Sequence, residues 1–154
     1  MSYAVIRVRG QPDVNRDVEF TMGLLGVTRV NHCVVVPEDP STKGMLQKVK
    51  DYCTWGEIDQ DTLTALIRSR GKLVGDKDLT DDHLAAVSEF KTIEDLSKAI
   101  IEDSYRLRDI ESAKPVFRLH PPIKGYEGNK RSYQNGGALG YRGEAINDLI
   151  SRML

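Results

Sequence analysis

The chain has 154 residues, 40% of them hydrophobic, with 22 Lys and Arg against 23 Asp and Glu and a formal charge of -1. That length supports one domain, or one domain with an appendage, and enough apolar material for a core, while the near-neutral charge removes the high isoelectric point of a simple nucleic-acid binder. Cys33 and Cys53 form no CxxC pair and lie at no ligand spacing to His32, His83 or His120, so no metal site is expected.

"MSYAVIRVRG" alternates charge with apolar residues rather than running apolar, which argues against a signal peptide, and no segment approaches the roughly 20 apolar residues of a membrane helix. A soluble, intracellular protein with reduced thiols is the expectation. The same stretch reads as a strand with Ala4, Ile6 and Val8 on one face and Tyr3, Val5, Arg7 and Arg9 on the other. Asp13 can cap a helix whose Val14, Val18, Met22 and Leu25 share a face and which ends at Gly26. "NHCVVV" predicts a second strand stopped by Pro37. "EDPSTKG" predicts a turn into a helix with Met45, Leu46, Val49 and Cys53 on its apolar side, and "TWGEI" a short third strand. The expected class is α/β (α+β), a small sheet with two helices on one face.

Beyond this half, "DTLTALIRSRG" predicts a helix with Leu63, Leu66 and Ile67 inward and Gly71 at its end. "LTDDHLAAV" and "TIEDLSKAIIED" predict two more, each opened by a Thr followed by acids, where the helix dipole favours negative charge. "KPVFRL" suggests a strand at the sheet or its edge, and "EAINDLISRML" a closing helix with Ile146, Leu149, Ile150 and Met153 inward. The expected division is a core over 1–58 and, over 59–154, an acidic helical block with a basic C-terminal extension packed on that core.

Charge is unevenly spread. From Lys114 to Arg142 six basic residues stand against the single acid Glu127, whereas from Asp76 to Glu111 eleven acids stand against five bases. One surface for a polyanion and another for water would produce that asymmetry. In the basic stretch glycine lets backbone approach phosphate, Lys and Arg neutralise it, and Tyr can stack on an exposed base. With few apolar residues, Tyr126 to Tyr141 is expected to be mobile alone and ordered by its partner.

Catalytic readings find little support. "NGGALGYRGE" lacks the Gly-Lys-Ser/Thr ending of a phosphate-binding loop, and His32 and Cys33, adjacent on a strand, point to opposite faces. Cys33 and Trp55 read as core residues. No catalytic residue, cofactor or small-molecule substrate is expected. The candidate RNA-binding residues are Arg7, Arg9, Arg29, Asn31, Lys43, Lys48, Arg118, His120, Lys124, Lys130, Arg131, Tyr133, Tyr141 and Arg142.

"LGVTRVNHCVVV" followed by "GMLQKVKDYCTWGEI" resembles the large-subunit ribosomal protein L-thirty family, whose eukaryotic relatives are called L-seven. "LIRSRG" looks like its longer archaeal and eukaryotic branch, and "KPVFRLHPPIKGYEGNKRSYQNGGALGYRGEAINDLISRML" is similar to the archaeal C-terminal extension. The resemblance implies a ferredoxin-like core with an extension that wraps it and reaches into large-subunit ribosomal RNA, with neighbouring ribosomal proteins as further partners and the cytoplasmic ribosome as location. A small-molecule-binding regulatory domain and an RNA-processing enzyme on a similar fold stand as alternatives. The first needs a pocket, the second a cluster of carboxylates or histidines beside the basic track.

Overall fold

The structure is a computed structural model describing residues 2–10, 14–110 and 113–154. Its centre is β1 (Ser2–Arg7), whose side chains are buried on both faces of the sheet. β1 pairs antiparallel with β2 (His32–Pro37) on one side and β3 (Cys53–Glu57) on the other. β2 and β3 therefore run parallel with β1 between them, and α2 (Pro40–Lys48) crosses over to join them. This split βαβ unit is the ferredoxin-like arrangement. β4 (Val116–Arg118) extends the sheet beyond β2, and β6 (Gly137–Tyr141) and β5 (Gly128–Ser132) extend it beyond β3, in the order β4-β2-β1-β3-β6-β5.

Two cores form because β1 is apolar on both faces. α1 (Arg16–Leu25) and α2 cover Tyr3, Val5, Val34 and Trp55 with Met22, Leu25, Leu46 and Val49, the expected pair of helices on one face. On the other face Ala4, Ile6, Cys33 and Phe117 meet α3 (Gln60–Arg70), α4 (Asp81–Val87), α5 (Ile93–Ile101) and α6 (Ala145–Met153). Leu63, Leu66 and Ile67 of α3 and Ile146, Leu149, Ile150 and Met153 of α6 all turn inward, as their helical spacing predicts. Phe117 is wholly buried, which stabilises the fold by about 3 kcal/mol of apolar transfer and ties the edge strand β4 to this core. Thr80 and Thr92 cap α4 and α5 through hydrogen bonds accepted from His83 N and Asp95 N.

Three expectations shift. The predicted cap Asp13 lies outside the described residues; the observed cap of α1 is Asn15, whose side chain accepts from Asp17 N. "PSTKG" is helical rather than a turn, since Asp39 accepts from Thr42 N and Pro40 occupies the first turn, where its missing N–H costs nothing. α2 then stops at Lys48, and Cys53 opens β3 instead of extending the helix.

The largest correction concerns the basic, glycine-rich stretch, which is not an irregular loop. It supplies β5, a 3-10 turn over Tyr133–Asn135, and β6, which runs parallel to β3 with Thr54 opposite Gly140. Ala138 and Leu139 are buried against Val8 and the half-buried Tyr126, giving the segment a small apolar anchor. Gly137 is required here, because a Cβ would run into the backbone of Arg131.

Candidate RNA interface

The antiparallel pairing around β1 decides where the candidate side chains lie. β1 and β4 finish at the end of the sheet where β2 and β3 begin, and His32 stands opposite Arg118 in the ladder. Arg9, Arg29, Lys48, Arg118 and His120 consequently gather at that end. Arg29, Lys48, Arg118 and His120 are exposed there. Arg9 is half-buried, donating to Asp51 O at 3.4 Å and lying 5.1 Å from the centre of the Tyr52 ring. Arg118 contacts Asp76 at 3.4 Å, but that carboxylate sits closer to Lys114, at 2.7 Å. The two cations hold Asp76 below the usual carboxylate range, Lys114 chiefly through its hydrogen bond.

Along the outer edge, β5 exposes Lys130 and Arg131, and Lys124 is exposed in the preceding loop, where its φ of 70° is left-handed. That loop is held by α6. Arg152 Nη1 donates to Ile123 O and Gly125 O at 3.3 and 3.2 Å, and the N–H groups of His120 and Ile123 cap the carbonyls of Met153 and Arg152. Arg152 is a residue that sequence reasoning passed over. Its place in the last turn of a helix, where a cation complements the exposed carbonyls, was the available signal.

Three candidates, two of them buried and one half-buried, are committed to hydrogen bonds within the protein. Arg7 is wholly buried, donating to Arg9 O at 2.9 Å, Val27 O at 3.2 Å and Thr28 O at 3.0 Å, so it folds the α1–β2 loop over the end of β1 rather than facing solvent. Arg142 is equally committed: its Nε donates to Thr54 Oγ1 and its Nη2 to Ala138 O, both at 2.8 Å, with Glu127 3.6 Å away. It bolts β6 to β3. Asn31 is left-handed, with φ 68°, and its Oδ1 accepts from Tyr126 Oη at 2.6 Å. That bond holds the tail against the start of β2.

Two further candidates lie away from the basic end. Lys43 is on the first turn of α2, just beyond the opposite end of β2, and contacts Glu38 at 3.4 Å. One of the anion-attracting N–H groups beside it, that of Thr42, is already engaged by the Asp39 carboxylate. Tyr141 finishes β6 at the same far end, where its hydroxyl donates to Glu57 Oε1 at 2.5 Å. That bond, helped by burial, pushes its pKa up to about 12. Tyr133 differs: half exposed, it receives the Arg142 guanidinium over its ring at 4.9 Å.

Catalytic geometry is not assembled around these groups. Cys33 and Cys53 are buried, which pushes both thiols up to about 12, and no group of His, Cys, Asp and Glu among the described residues could hold a metal ion. Fold and surface together define a small α+β protein with exposed cations gathered at one end of its sheet.

Residues 3–53, from β1 to the first residue of β3, match the family described as Ribosomal protein L30p/L7e. Similarity continues through the rest of the chain. It is 45% identical to "Large ribosomal subunit protein uL30" of Methanosphaera stadtmanae over 99% of both chains, and 50% identical to that of Methanobrevibacter smithii over 99% of both. The protein of the same name from Thermoplasma volcanium is 50% identical, over 98% of this chain and 92% of its own. This chain belongs to the uL30 family, in its long archaeal form.

Proposed function

We propose that this chain is a structural constituent of the large ribosomal subunit, acting in the cytoplasmic ribosome, and that it binds and stabilises large-subunit ribosomal RNA. The observation that carries the RNA contact is the placement of cations. Arg29, Lys124, Lys130 and Arg131 are exposed and have no ion-pair partner among the described residues. Within the acidic helices, charges neutralise each other: Arg68 hydrogen-bonds to Glu94 at 2.6 Å and lies 3.6 Å from Asp81, so part of their charge is spent. The solvent-accessible candidates at the cationic end and along the β5 edge, Arg9, Arg29, Lys48, Arg118, His120, Lys124, Lys130, Arg131 and Tyr133, would meet the nucleic acid. Arg7, Asn31 and Arg142 would build the surface from beneath.

Binding of the full chain to transcribed large-subunit ribosomal RNA, measured across salt concentrations, tests this reading. Each phosphate that the protein ceases to neutralise lowers the slope of log affinity against log salt by roughly 0.7 to 0.9. Exchanging Lys130 and Arg131 for Glu should therefore weaken binding strongly at low salt and flatten its salt dependence. The same exchange at Lys77 and Lys91 should do little. A control pair that weakened binding as much as the β5 pair would overturn the division of surfaces.

A further inference from the structure

At the cationic end, His32 is left in an unusual position. Its Nδ1 is buried with no hydrogen-bond partner, as is Nη2 of Arg7 on the neighbouring strand. A buried polar atom without a partner is destabilising. Alternation along β2 puts Cys33 into the α3–α6 core and Val34 under α1 and α2, so His32 shares the side of Val34. Its ladder partner Arg118 is on that side as well. Arg29, from the loop that folds over β1, is exposed and has no ion-pair partner among the described residues.

We propose that His32, Arg29 and Arg118 form a seat for one phosphodiester phosphate of the bound RNA. This rests on the reading that the chain binds ribosomal RNA, and adds the place and the residues. A phosphate between two guanidiniums accepts the charge-assisted hydrogen bonds they offer, and an imidazole beside it can donate a further one. Asp76 does not block entry, since its stronger contact is with Lys114. Around the imidazole the charged groups are Arg7 from β1, Arg29 from the loop, Arg118 from β4 and, one step out, Asp76 on Arg118 and Glu19 at 3.9 Å from Arg7.

The balance among these groups is cationic, with a consequence for protons. In the free protein, burial first and then Arg118, Arg29 and Arg7 hold His32 below the ordinary histidine value, so the ring is neutral near neutrality. A phosphate in the seat cancels those cations and favours the imidazolium. Binding then takes up a proton, and affinity rises as pH falls, by up to about tenfold per unit for a single proton.

Two measurements on the full chain test the seat. In the first, the His32 ring is followed by NMR pH titration with inorganic phosphate, and with chloride at equal ionic strength. Phosphate should raise its pKa, chloride should not, and the R29A/R118A double variant should lose the response. In the second, affinity for transcribed large-subunit ribosomal RNA is measured from pH 6 to pH 8 for the unaltered chain, for H32Q, and for H120Q as a control, because His120 titrates at the same end. H32Q should flatten the pH dependence and H120Q should keep it. A His32 ring indifferent to phosphate overturns the seat, and because that measurement uses the unaltered chain, a folding defect in a variant does not protect it. A response to phosphate with an unchanged pH profile in H32Q also overturns the proposal, since the RNA then does not use the site. In either case, RNA binding strongly weakened at low salt by exchanging Lys130 and Arg131 for Glu would leave the broader function standing.

Discussion

Arg142 separates two ways a cation can serve a nucleic-acid-binding protein, and replacing it with Met distinguishes them. Met keeps the apolar stem and removes the guanidinium. Ala138 O loses its 2.8 Å donor and is left buried. Thr54 Oγ1 loses a donor as well, but its own hydroxyl still donates to Gly140 O at 2.7 Å. Glu127 is not stranded, because Arg152 remains 3.6 Å away. A buried carbonyl that loses its side-chain donor and a half-satisfied hydroxyl cost about 2–4 kcal/mol together. That is somewhat less than the penalty for stripping one member of a fully buried ion pair. In a domain of this size it corresponds to a fall in Tm of roughly 5 to 15 °C.

Calorimetry and urea unfolding read the stability, and RNA binding across salt reads the electrostatics. If Arg142 acts from beneath, the variant is destabilised while the slope of log affinity against log salt keeps its value. The reasoning is refuted if the variant stays within about 0.5 kcal/mol of the unaltered chain while the slope drops by roughly 0.7 to 0.9, the mark of one phosphate no longer neutralised.

Gly56→Ala should lower stability by about 1–3 kcal/mol in urea titration, because the new methyl meets the backbone carbonyl of Gly143, which cannot swing aside as a side chain would; an unchanged midpoint would contradict that packing. In phosphate-free buffer, stability should decline as pH falls through the ordinary histidine range. His32 binds a proton less readily folded than unfolded, so protonation favours the unfolded chain, and H32Q should flatten this part of the profile. Native-state hydrogen exchange of the free protein should protect the Arg142 amide, which donates to Trp55 O at 2.8 Å, while the amides of exposed Lys124 and Lys130 exchange faster. Uniform rapid exchange from Tyr126 to Arg142 would restore the expectation of a tail ordered only by its partner.

The elements legible in the sequence were those whose signal is local. β1 shows its alternation, α3 and α6 their inward stripes, and α4 and α5 their Thr caps with acids following, so each could be placed before any contact was known. β6 carries no such mark. Its apolar content is Ala138 and Leu139 between glycines, and what makes it a strand is parallel pairing to β3, more than eighty residues earlier, plus the Arg142 bolt. Non-local pairing of that kind leaves no periodicity to read. The same limit applied to the candidate site. Residue type marked Arg7, Arg142 and Arg29 equally as cations, and the loops closing over the first two turned them inward. Tyr141 and Lys43 were displaced for a topological reason, since each lies at the strand end opposite the cationic one.

That topology also resolves how a chain of net charge -1 can present a cationic surface. With β1 central and antiparallel to both neighbours, the residues that follow β1 and β4 and precede β2 and β3 collect at one end, and they include Arg9, Arg29, Lys48 and Arg118. The residues at the other end include Glu38, Asp39, Glu57 and Asp59, two of which act as helix caps. Exposed cations are thus gathered at one end of the strand axis, where Asp76 is shared between Lys114 and Arg118. The net charge then matters less than the local field, because at physiological ionic strength the acids at the far end lie beyond the Debye length of about 8 Å and are largely screened from a phosphate at the cationic end. A substitution that adds an acid at the cationic end should therefore weaken RNA binding far more than one that adds it at the other, although both change the net charge by the same amount.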